Sequence, residues 1–245
     1  MQVTFLGTGV AIPSANKAQS GLIVGHDKYA MQFDCGAGTY FNSHKTCFGA
    51  SSIDHLFLTH LHVDHVNDLP ALLKDRWISG VHQLSIGGPK GTKEHIEGVL
   101  RLFPYIDIDV QVTELEAETY TAGPYQLKTQ IMAHGQSTCI GYTIAKDGKQ
   151  VAIAGDTAPC RGVDALLEGP IDMLIHECSF IDTQKPDHTT PEELAELLQS
   201  KDVKRVCLTH MYPQTYAQRN QAANIIGQAY SGKVYVAEDL MEVRI

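Results

Sequence analysis

Short apolar runs alternate with polar turns along most of the chain, and their spacing predicts strands and helices in mixed order. Helical spacing of apolar residues predicts helices at 66–79, 93–103, 192–199 and 217–230. Alternating or continuous apolar runs predict strands at 3–6, 21–25, 29–33, 54–59, 84–86, 125–131, 140–145, 150–153, 171–176, 205–208, 234–237 and 241–244. Turn residues at 26–28 and 146–149 predict two hairpins. Strands early and late, each group mixed with helices, predict two sheets packed face to face with helices outside.

Length and composition favour one folded domain. The 245 residues suit a single layered domain over 1–245. Hydrophobic residues make up 43% and charged residues 19%, which fits a packed core and excludes a disordered chain. The net charge of −9 excludes a general attraction for nucleic acid, so RNA binding would need a local basic patch. The same charge suits a protein that binds metal cations.

Cysteine usage and hydropathy bear on the compartment. Six cysteines occur and no two form a CxxC pair, so we expect reduced thiols. The N-terminal residues have no basic region and no long apolar run, and nowhere do 18 apolar residues follow one another. The sequence therefore predicts a cytoplasmic protein without a membrane segment.

The strongest chemical feature is the segment His60-Leu61-His62-Val63-Asp64-His65, directly after an apolar strand. In an extended chain His60 and His62 point the same way, so both imidazoles can reach one metal ion. Asp64 and His65 lie where the chain turns into the next helix and can reach a second ion. Imidazole and carboxylate suit zinc, and two ions roughly 3.5–4 Å apart form a known hydrolytic device.

This segment resembles the HxHxDH motif of the metallo-β-lactamase superfamily, and further residues match that family in order. Asp34 follows an early strand in Phe33-Asp34-Cys35-Gly36, as the family's loop aspartate does. His134 ends a mid-chain strand, Asp156 lies in Ala154-Gly155-Asp156-Thr157, and His210 follows a late strand. The resemblance therefore covers residues 34–210, and the complete ordered set is far more specific than the first motif alone.

The resemblance implies an αββα four-layer sandwich, the metallo-β-lactamase fold, with two Zn²⁺ ions, or Mn²⁺ or Fe²⁺ in their place. Asp34 would orient a ligand histidine through its ring N–H. A hydroxide between the ions would be the nucleophile, because two cations lower the pKa of bound water. The implied ligands are His60, His62 and His134 at site one, Asp64, His65 and His210 at site two, and Asp156 bridging both ions.

Within the superfamily the chain is similar to the ribonuclease Z branch. The resemblance rests on Phe5-Leu6-Gly7-Thr8-Gly9, on Gly155-Asp156-Thr157 and on Gly88-Pro89-Lys90-Gly91 before a helix. In that branch the residues that correspond to Glu177 and His188 form a pair that protonates the leaving oxygen. The implied catalytic residues are Asp64, His188 and Glu177.

Local physical chemistry supports a phosphate-binding role near His188. Thr190 can cap the next helix, Pro191 suits its first position, and Glu193 completes a capping box. The positive end of that helix favours an anionic phosphate nearby. The helix dipole would lower the pKa of His188 and Glu177 would raise it, which predicts a general acid that titrates near neutral pH.

Two sequence features depart from the branch, in addition to the acidic charge. Long-form bacterial ribonuclease Z carries a tRNA-gripping arm between the Gly-Tyr strand and the Gly-Asp-Thr turn. Here a short turn at 146–149 joins Gly141-Tyr142 to Gly155, so no arm is expected. Lys17 and Ala18 stand where the family usually has Arg-Asn. These differences indicate a small phosphodiester, or an RNA 3′ end held by another surface.

Several functions stay open. The favoured hypothesis is a dinuclear zinc phosphodiesterase, an endonuclease related to ribonuclease Z, in which metal-bound hydroxide attacks phosphorus and His188 is the general acid. The alternative is hydrolysis of a carbon ester, lactone, thioester or aryl sulfate by the same ions. A di-iron redox protein is disfavoured because such relatives usually have a glutamate where His62 stands, and an inactive metal-binding module would be expected to lack ligands. Dimers are common in the branch, which is consistent with a homodimer.

Overall fold

The structure is a computed structural model, and it describes residues 1–26, 29–181 and 186–245. The chain divides into two compact units. The first unit consists of Met1–Leu115 and Glu238–Arg244, and the second unit of Glu116–Ala237 with Ile245. No helix in the described part of the chain is both long and apolar enough to cross a lipid bilayer.

Strands and helices alternate along the chain. The strands are β1 (Gln2–Gly7), β2 (Gly21–His26), β3 (Tyr29–Phe33), β4 (Ile53–Phe57), β5 (Gln83–Gly88), β6 (Asp109–Glu114), β7 (Thr119–Ala122), β8 (Tyr125–His134), β9 (Ser137–Lys146), β10 (Lys149–Ile153), β11 (Met173–Glu177), β12 (Arg205–Thr209), β13 (Lys233–Val236) and β14 (Glu242–Arg244). The helices are α1 (Thr39–Ser43), α2 (Val63–Val66), α3 (Leu69–Ile78), α4 (Thr92–Leu102), α5 (Arg161–Leu166), α6 (Pro191–Gln199), α7 (Pro213–Ala217) and α8 (Arg219–Ala229), and a 3₁₀ helix spans Ala50–Ser52.

The first unit is built on a mixed sheet with the strand order β14-β1-β2-β3-β4-β5-β6. The pairs from β14 to β3 are antiparallel, and those from β3 to β6 are parallel. Leu56 of β4 and Ile86 of β5 pack in one cluster with Leu72 of α3 and Ile96 of α4. Burial of these apolar side chains holds the helices against the parallel half of the sheet.

The second unit is built on a second mixed sheet, with the order β13-β12-β11-β10-β9-β8-β7. Here β7 to β10 pair antiparallel and β10 to β13 pair parallel. Leu174 of β11 and Val206 of β12 pack with Leu194 of α6 and Ile226 of α8. The predicted pair of mixed sheets with flanking helices is therefore confirmed, whereas the single domain over 1–245 stays a prediction.

The hairpin expected at 146–149 is present. Asp147 and Gly148 both have positive φ, at 51° and 74°, and join β9 to β10. An Asp-Gly pair in this conformation is the favoured two-residue turn between antiparallel strands. For the hairpin expected at 26–28, β2 and β3 pair as predicted, but residues 27 and 28 lie outside the described residues.

Two predicted helices were wrong in extent. The span 66–79 is divided between α2 and α3, because the Asp68 N–H donates to the Cys35 carbonyl and Pro70 lies in the first turn of α3. The span 217–230 is divided between α7 and α8 at Gln218, whose N–H donates to the Thr215 carbonyl in a tight turn. The short helices α1 and α5 were not predicted.

Candidate metal centre

In the second unit, four predicted site residues lie at the same edge of the sheet. His134 is the last residue of β8, Asp156 lies three residues beyond β10, Glu177 ends β11, and His210 follows β12 directly. β9 pairs antiparallel with both β8 and β10, and β10, β11 and β12 are parallel, so β8, β10, β11 and β12 run in one direction. Their carboxyl ends therefore carry these side chains to one place.

The donor atoms of this group have the spacing of metal ligands. Asp156 Oδ2 lies 3.3 Å from His210 Nε2 and 3.9 Å from His134 Nε2, and all three residues are buried. Ligand atoms on one tetrahedral zinc ion lie roughly 3.3 Å apart, since zinc bonds to nitrogen and oxygen are about 2.0–2.2 Å. His188 joins two donor groups whose ligand atoms lie within 4.8 Å of one another, one with His134 and Asp156 and one with Glu177 and His210.

The first unit gathers its donors from two neighbouring parallel strands. Asp34 follows β3 directly, and the segment from His60 to His65 begins three residues after β4. The His60 ring lies 4.5 Å from the His62 ring and 4.0 Å from the His65 ring, between centroids. Asp64 Oδ2 lies 3.9 Å from His65 Nε2. His62 is exposed, whereas the other members of this group are buried.

Hydrogen bonds fix the tautomer of two of these histidines. His65 Nδ1 lies 2.7 Å from Asp34 Oδ2, and His134 Nδ1 lies 2.9 Å from the Asp187 carbonyl oxygen. A carboxylate and a carbonyl can only accept, so in the neutral ring Nδ1 carries the proton and Nε2 carries the lone pair. Such a partner also fixes the orientation of a ligand ring.

The Nδ1 atoms of His60 and His210 contact hydroxyl groups. Thr59 Oγ1 lies 3.0 Å from His60 Nδ1 and 2.9 Å from Asp34 Oδ2. Ser179 Oγ lies 3.1 Å from His210 Nδ1 and donates to the His210 carbonyl over 2.9 Å. Each hydroxyl has one proton, which goes to the oxygen acceptor, so each imidazole donates from Nδ1. All four rings therefore present the lone pair of Nε2, the form that binds a cation.

Left-handed backbone conformations recur beside the donors. Asp34 has φ 58° and His210 has φ 54°, and glycines with positive φ stand next to His134 and Asp156. These conformations turn the chain sharply where each strand ends. For a residue other than glycine the left-handed region costs roughly 1–2 kcal/mol, so Asp34 and His210 are held there by the contacts of their side chains.

Half-buried His188 pairs with buried Glu177 in the second unit. His188 Nδ1 lies 2.7 Å from Glu177 Oε1, and Glu177 also accepts from the N–H groups of Thr157 and Ser179 over 3.0 and 3.1 Å. Burial lowers the pKa of His188, but its hydrogen bond to Glu177 and the charges of Glu177 and Asp156 outweigh it, so the pKa is raised above its usual value. The pairing expected from the sequence is thus present.

Hydrogen bonds hold the two residues that directly follow His188. Thr189 Oγ1 donates to the Thr157 carbonyl over 2.7 Å. The predicted capping box is confirmed, because the Glu193 N–H donates to Thr190 Oγ1 and the Thr190 N–H donates to the Glu193 carboxylate, over 3.3 and 2.8 Å. The His188 backbone is therefore held between the Asp156 loop and the start of α6.

Comparison with known proteins gives the family. Residues 32–211 match the family described as the beta-lactamase superfamily domain. The chain belongs to this superfamily. A ribonuclease Z of Mycobacterium bovis is 30% identical over 277 aligned residues, which cover 100% of this chain and 98% of that protein.

Two solved structures have a similar fold over nearly the whole chain. The short form of human tRNase Z is 25% identical with a TM-score of 0.82, over 100% of this chain and 99% of that chain. The metallo-beta-lactamase fold protein YhfI of Bacillus subtilis is 22% identical with a TM-score of 0.87, over 99% and 98%. The predicted metallo-β-lactamase fold and the similarity to ribonuclease Z are confirmed, and the chain is a metal-dependent hydrolase.

Three residues that contact the donors were not predicted from the sequence. Thr59, Ser179 and Asp187 supply the oxygens that fix His60, His210 and His134. Their position in the sequence could have indicated them, because each lies within two residues of a predicted site residue. Their partners in the other strands or loops could not be assigned without the sheet order.

Proposed function

We propose that this superfamily member is a phosphodiesterase with two divalent metal ions, zinc by preference and Mn²⁺ or Fe²⁺ as alternatives. The family match over residues 32–211 includes every proposed ligand, and in each unit buried histidines present Nε2 lone pairs. The proposed ligands are His60, His62 and His134 for one ion, Asp64, His65 and His210 for the other, and Asp156 for both.

The donor set fits such ions by its chemistry. Imidazole nitrogens and carboxylate oxygens are the ligands that zinc binds in hydrolases. When bound, two divalent ions supply Lewis acidity at the phosphoryl oxygens and lower the pKa of water to near neutral. Asp34 holds the His65 ring through the hydrogen bond at Nδ1, so that its Nε2 is directed away from the carboxylate.

The hydrogen bond between His188 and Glu177 is the observation that carries the proposed reaction class. Glu177 engages Nδ1 of His188 at 2.7 Å, so a proton on Nε2 can be delivered to a leaving oxygen. The ring lies beside His134 and near His210, at centroid distances of 4.9 and 6.2 Å. His188 would thus supply a proton beside the proposed metal ligands. This suits a reaction whose leaving group is an alkoxide, as in a phosphodiester of ribose.

The substrate is proposed to be a phosphodiester that needs no gripping arm. The curated relatives are named ribonuclease Z, which supports an RNA 3′ end as one version. The two-residue turn at Asp147-Gly148 and the net charge of −9 support a short RNA end or a small phosphodiester over a whole folded tRNA. A cytoplasmic location and a homodimer stay predictions.

Turnover by the zinc-loaded protein tests the reaction class. We expect hydrolysis of bis-(p-nitrophenyl) phosphate and of an RNA with a 3′ extension, and little turnover of lactones or aryl sulfates. Good lactone turnover without phosphodiester turnover would show that the chain is a carbon-ester hydrolase instead.

His188→Ala tests the assigned proton donor. Its turnover of the RNA should fall by about 10²–10⁴-fold, the usual contribution of general acid–base help, with unchanged zinc content. His82→Ala, at an exposed histidine of the first unit, is the control and should keep full turnover. Equal loss of zinc and turnover in His188→Ala would mean that His188 is a ligand rather than a proton donor.

A further inference from the structure

Two aromatic side chains stand beside the His188–Glu177 pair. The Phe180 ring meets the His188 ring in an edge-to-face arrangement, with centroids 5.3 Å apart and planes at 67°. The Tyr212 ring stacks on Phe180 at 4.7 Å and 22°. Phe180 lies three residues beyond the end of β11 and Tyr212 three residues beyond the end of β12. The two parallel strands therefore bring this aromatic pair to the edge of the sheet that carries His188's partners.

The hydrogen bond to Glu177 fixes only part of the His188 geometry. It sets the position of Nδ1, but the ring can still tilt about the line from Nδ1 to the carboxylate oxygen. The tilt decides where Nε2 points, and thus whether its proton can reach a leaving oxygen. Ring contacts limit this motion. The nearer ones come from His134, 4.9 Å away at 68°, and from Phe180, and the farther ones from His210 and Tyr212 at 6.2 and 6.4 Å.

We propose that Phe180 is a positioning residue for His188, and that Tyr212 supports Phe180 in this role. The inference rests on the proposed function, since it concerns the proton donor of that reaction. Phe180 and Tyr212 are both half-buried, and the N–H of Tyr212 donates to the Ser179 carbonyl over 3.3 Å. The backbone of Tyr212 is thus bonded to the residue before Phe180, which keeps the two rings next to each other.

The size of the expected effect follows from aromatic pair energies. The energy of an edge-to-face aromatic pair makes molecules with that ring geometry about 2- to 10-fold more populated than molecules without it. Removal of the Phe180 ring should therefore lower the fraction of molecules with a correctly tilted His188 by about that factor. Zinc content should not change, because Phe180 offers no ligand atom.

The dependence of turnover on the leaving group tests this role in the zinc-loaded enzyme. A p-nitrophenolate leaves without a proton, whereas a ribose oxygen needs one. In Phe180→Ala, kcat for an RNA 3′ end should fall about 2- to 10-fold with unchanged KM, and kcat for bis-(p-nitrophenyl) phosphate should stay the same. Phe180→Tyr keeps the ring and should restore the wild-type rate. Phe103→Ala, at a half-buried phenylalanine of the first unit, should change neither rate.

A double variant separates positioning from a general structural role. If Phe180 acts through His188, then adding Phe180→Ala to His188→Ala should cause no further loss on RNA. Equal losses on both substrates, loss of zinc, additive losses in the double variant, or no rescue by Phe180→Tyr would each overturn the proposal.

If the protein hydrolyses neither phosphodiester, the proposed function fails, but the positioning role of Phe180 can still be tested by NMR spectroscopy. The imidazole proton resonances of His188 should be sharp in the wild type and in Phe180→Tyr. They should broaden or split in Phe180→Ala, because the ring then samples more than one tilt. Unchanged resonances in Phe180→Ala would overturn the positioning role independently of any activity.

Discussion

Each unit gathers its own potential metal ligands in a different way. In the first unit the donors lie in one segment of six residues after β4, with Asp34 added from the neighbouring parallel strand. In the second unit they lie at separate strand ends between His134 and His210. The first arrangement is local and depends on a single turn of chain. The second depends on sheet order, because only strands of the sheet that run in the same direction deliver their last residues to one edge.

The units also differ in how they fix a histidine ring. In the first unit His65 donates to the carboxylate of Asp34 and His60 to the hydroxyl of Thr59, whereas in the second unit His134 and His210 donate to a carbonyl and a hydroxyl. Hydrogen bonds to a charged acceptor are stronger than those to a neutral one. If the proposed ligands bind metal, His65 would be held by a charge-assisted hydrogen bond, whereas His134 and His210 would be held by neutral ones.

The largest expected effect comes from removing the carboxylate shared by the second-unit donors. Asp156→Ala should lose bound metal and reduce phosphodiester turnover to background, because Asp156 Oδ2 faces both His134 and His210. Elemental analysis and a turnover assay measure the two losses. Asp164→Ala, at an exposed aspartate of the same unit, is the matched control. Full metal content in Asp156→Ala would show that the second unit does not assemble a metal site at this edge.

A smaller effect should separate charged from neutral ring partners. Asp34→Asn should weaken metal binding by about 10–100-fold, since it removes the carboxylate that accepts from His65. Ser179→Ala should weaken it less, because His210 loses only a neutral hydroxyl. Competition with a chelator gives both affinities. A larger loss of metal affinity in Ser179→Ala than in Asp34→Asn would contradict the expected ranking of charged above neutral ring partners.

The smallest effect concerns the acid stability of the second sheet. Burial raises the pKa of Asp172, but hydrogen bonds from Lys204, the Gln150 N–H and Lys149 outweigh it, so the pKa lies below the usual value of 3.8. A carboxyl whose pKa is lower in the folded state contributes stability above its unfolded pKa, and this contribution is lost as the pH falls through the folded pKa. Urea unfolding at pH 5 and at pH 3 should therefore show a smaller difference in Asp172→Asn than in the wild type. If the free energy of unfolding changes equally between the two pH values in both proteins, Asp172 does not contribute to the acid sensitivity.

Sequence reasoning succeeded where the determinants are local. The donor segment from His60 to His65 follows a strand that its apolar run predicts, and the box of Thr190 and Glu193 is set by residues three apart. The Asp-Gly turn between β9 and β10 is equally local. These features need no knowledge of distant parts of the chain.

Site residues and hydrogen-bond partners that depend on tertiary contacts were harder to predict from the sequence. His134, Asp156 and His210 were selected by resemblance, because each alone is an ordinary strand-end residue. Their partners Ser179 and Asp187 were missed, since which oxygen meets which ring depends on the order of strands in the sheet. The break between α2 and α3 has the same origin, because the Asp68 N–H leaves the helix pattern for a carbonyl in a distant loop.

The turn at Asp147-Gly148 has a consequence for how such proteins gain and lose substrate-recognition modules. Both residues are exposed, and the ladder between β9 and β10 is complete on either side of them, from the pair Lys146 and Lys149 inward. Chain inserted there would add loop-closure entropy, which grows slowly with length, and would leave the sheet pairing intact. The resemblance to the ribonuclease Z branch implies that its long-form bacterial members carry their arm in this stretch of the chain. A grafted arm should therefore change which molecules are captured without altering the chemistry at the opposite end of the strands.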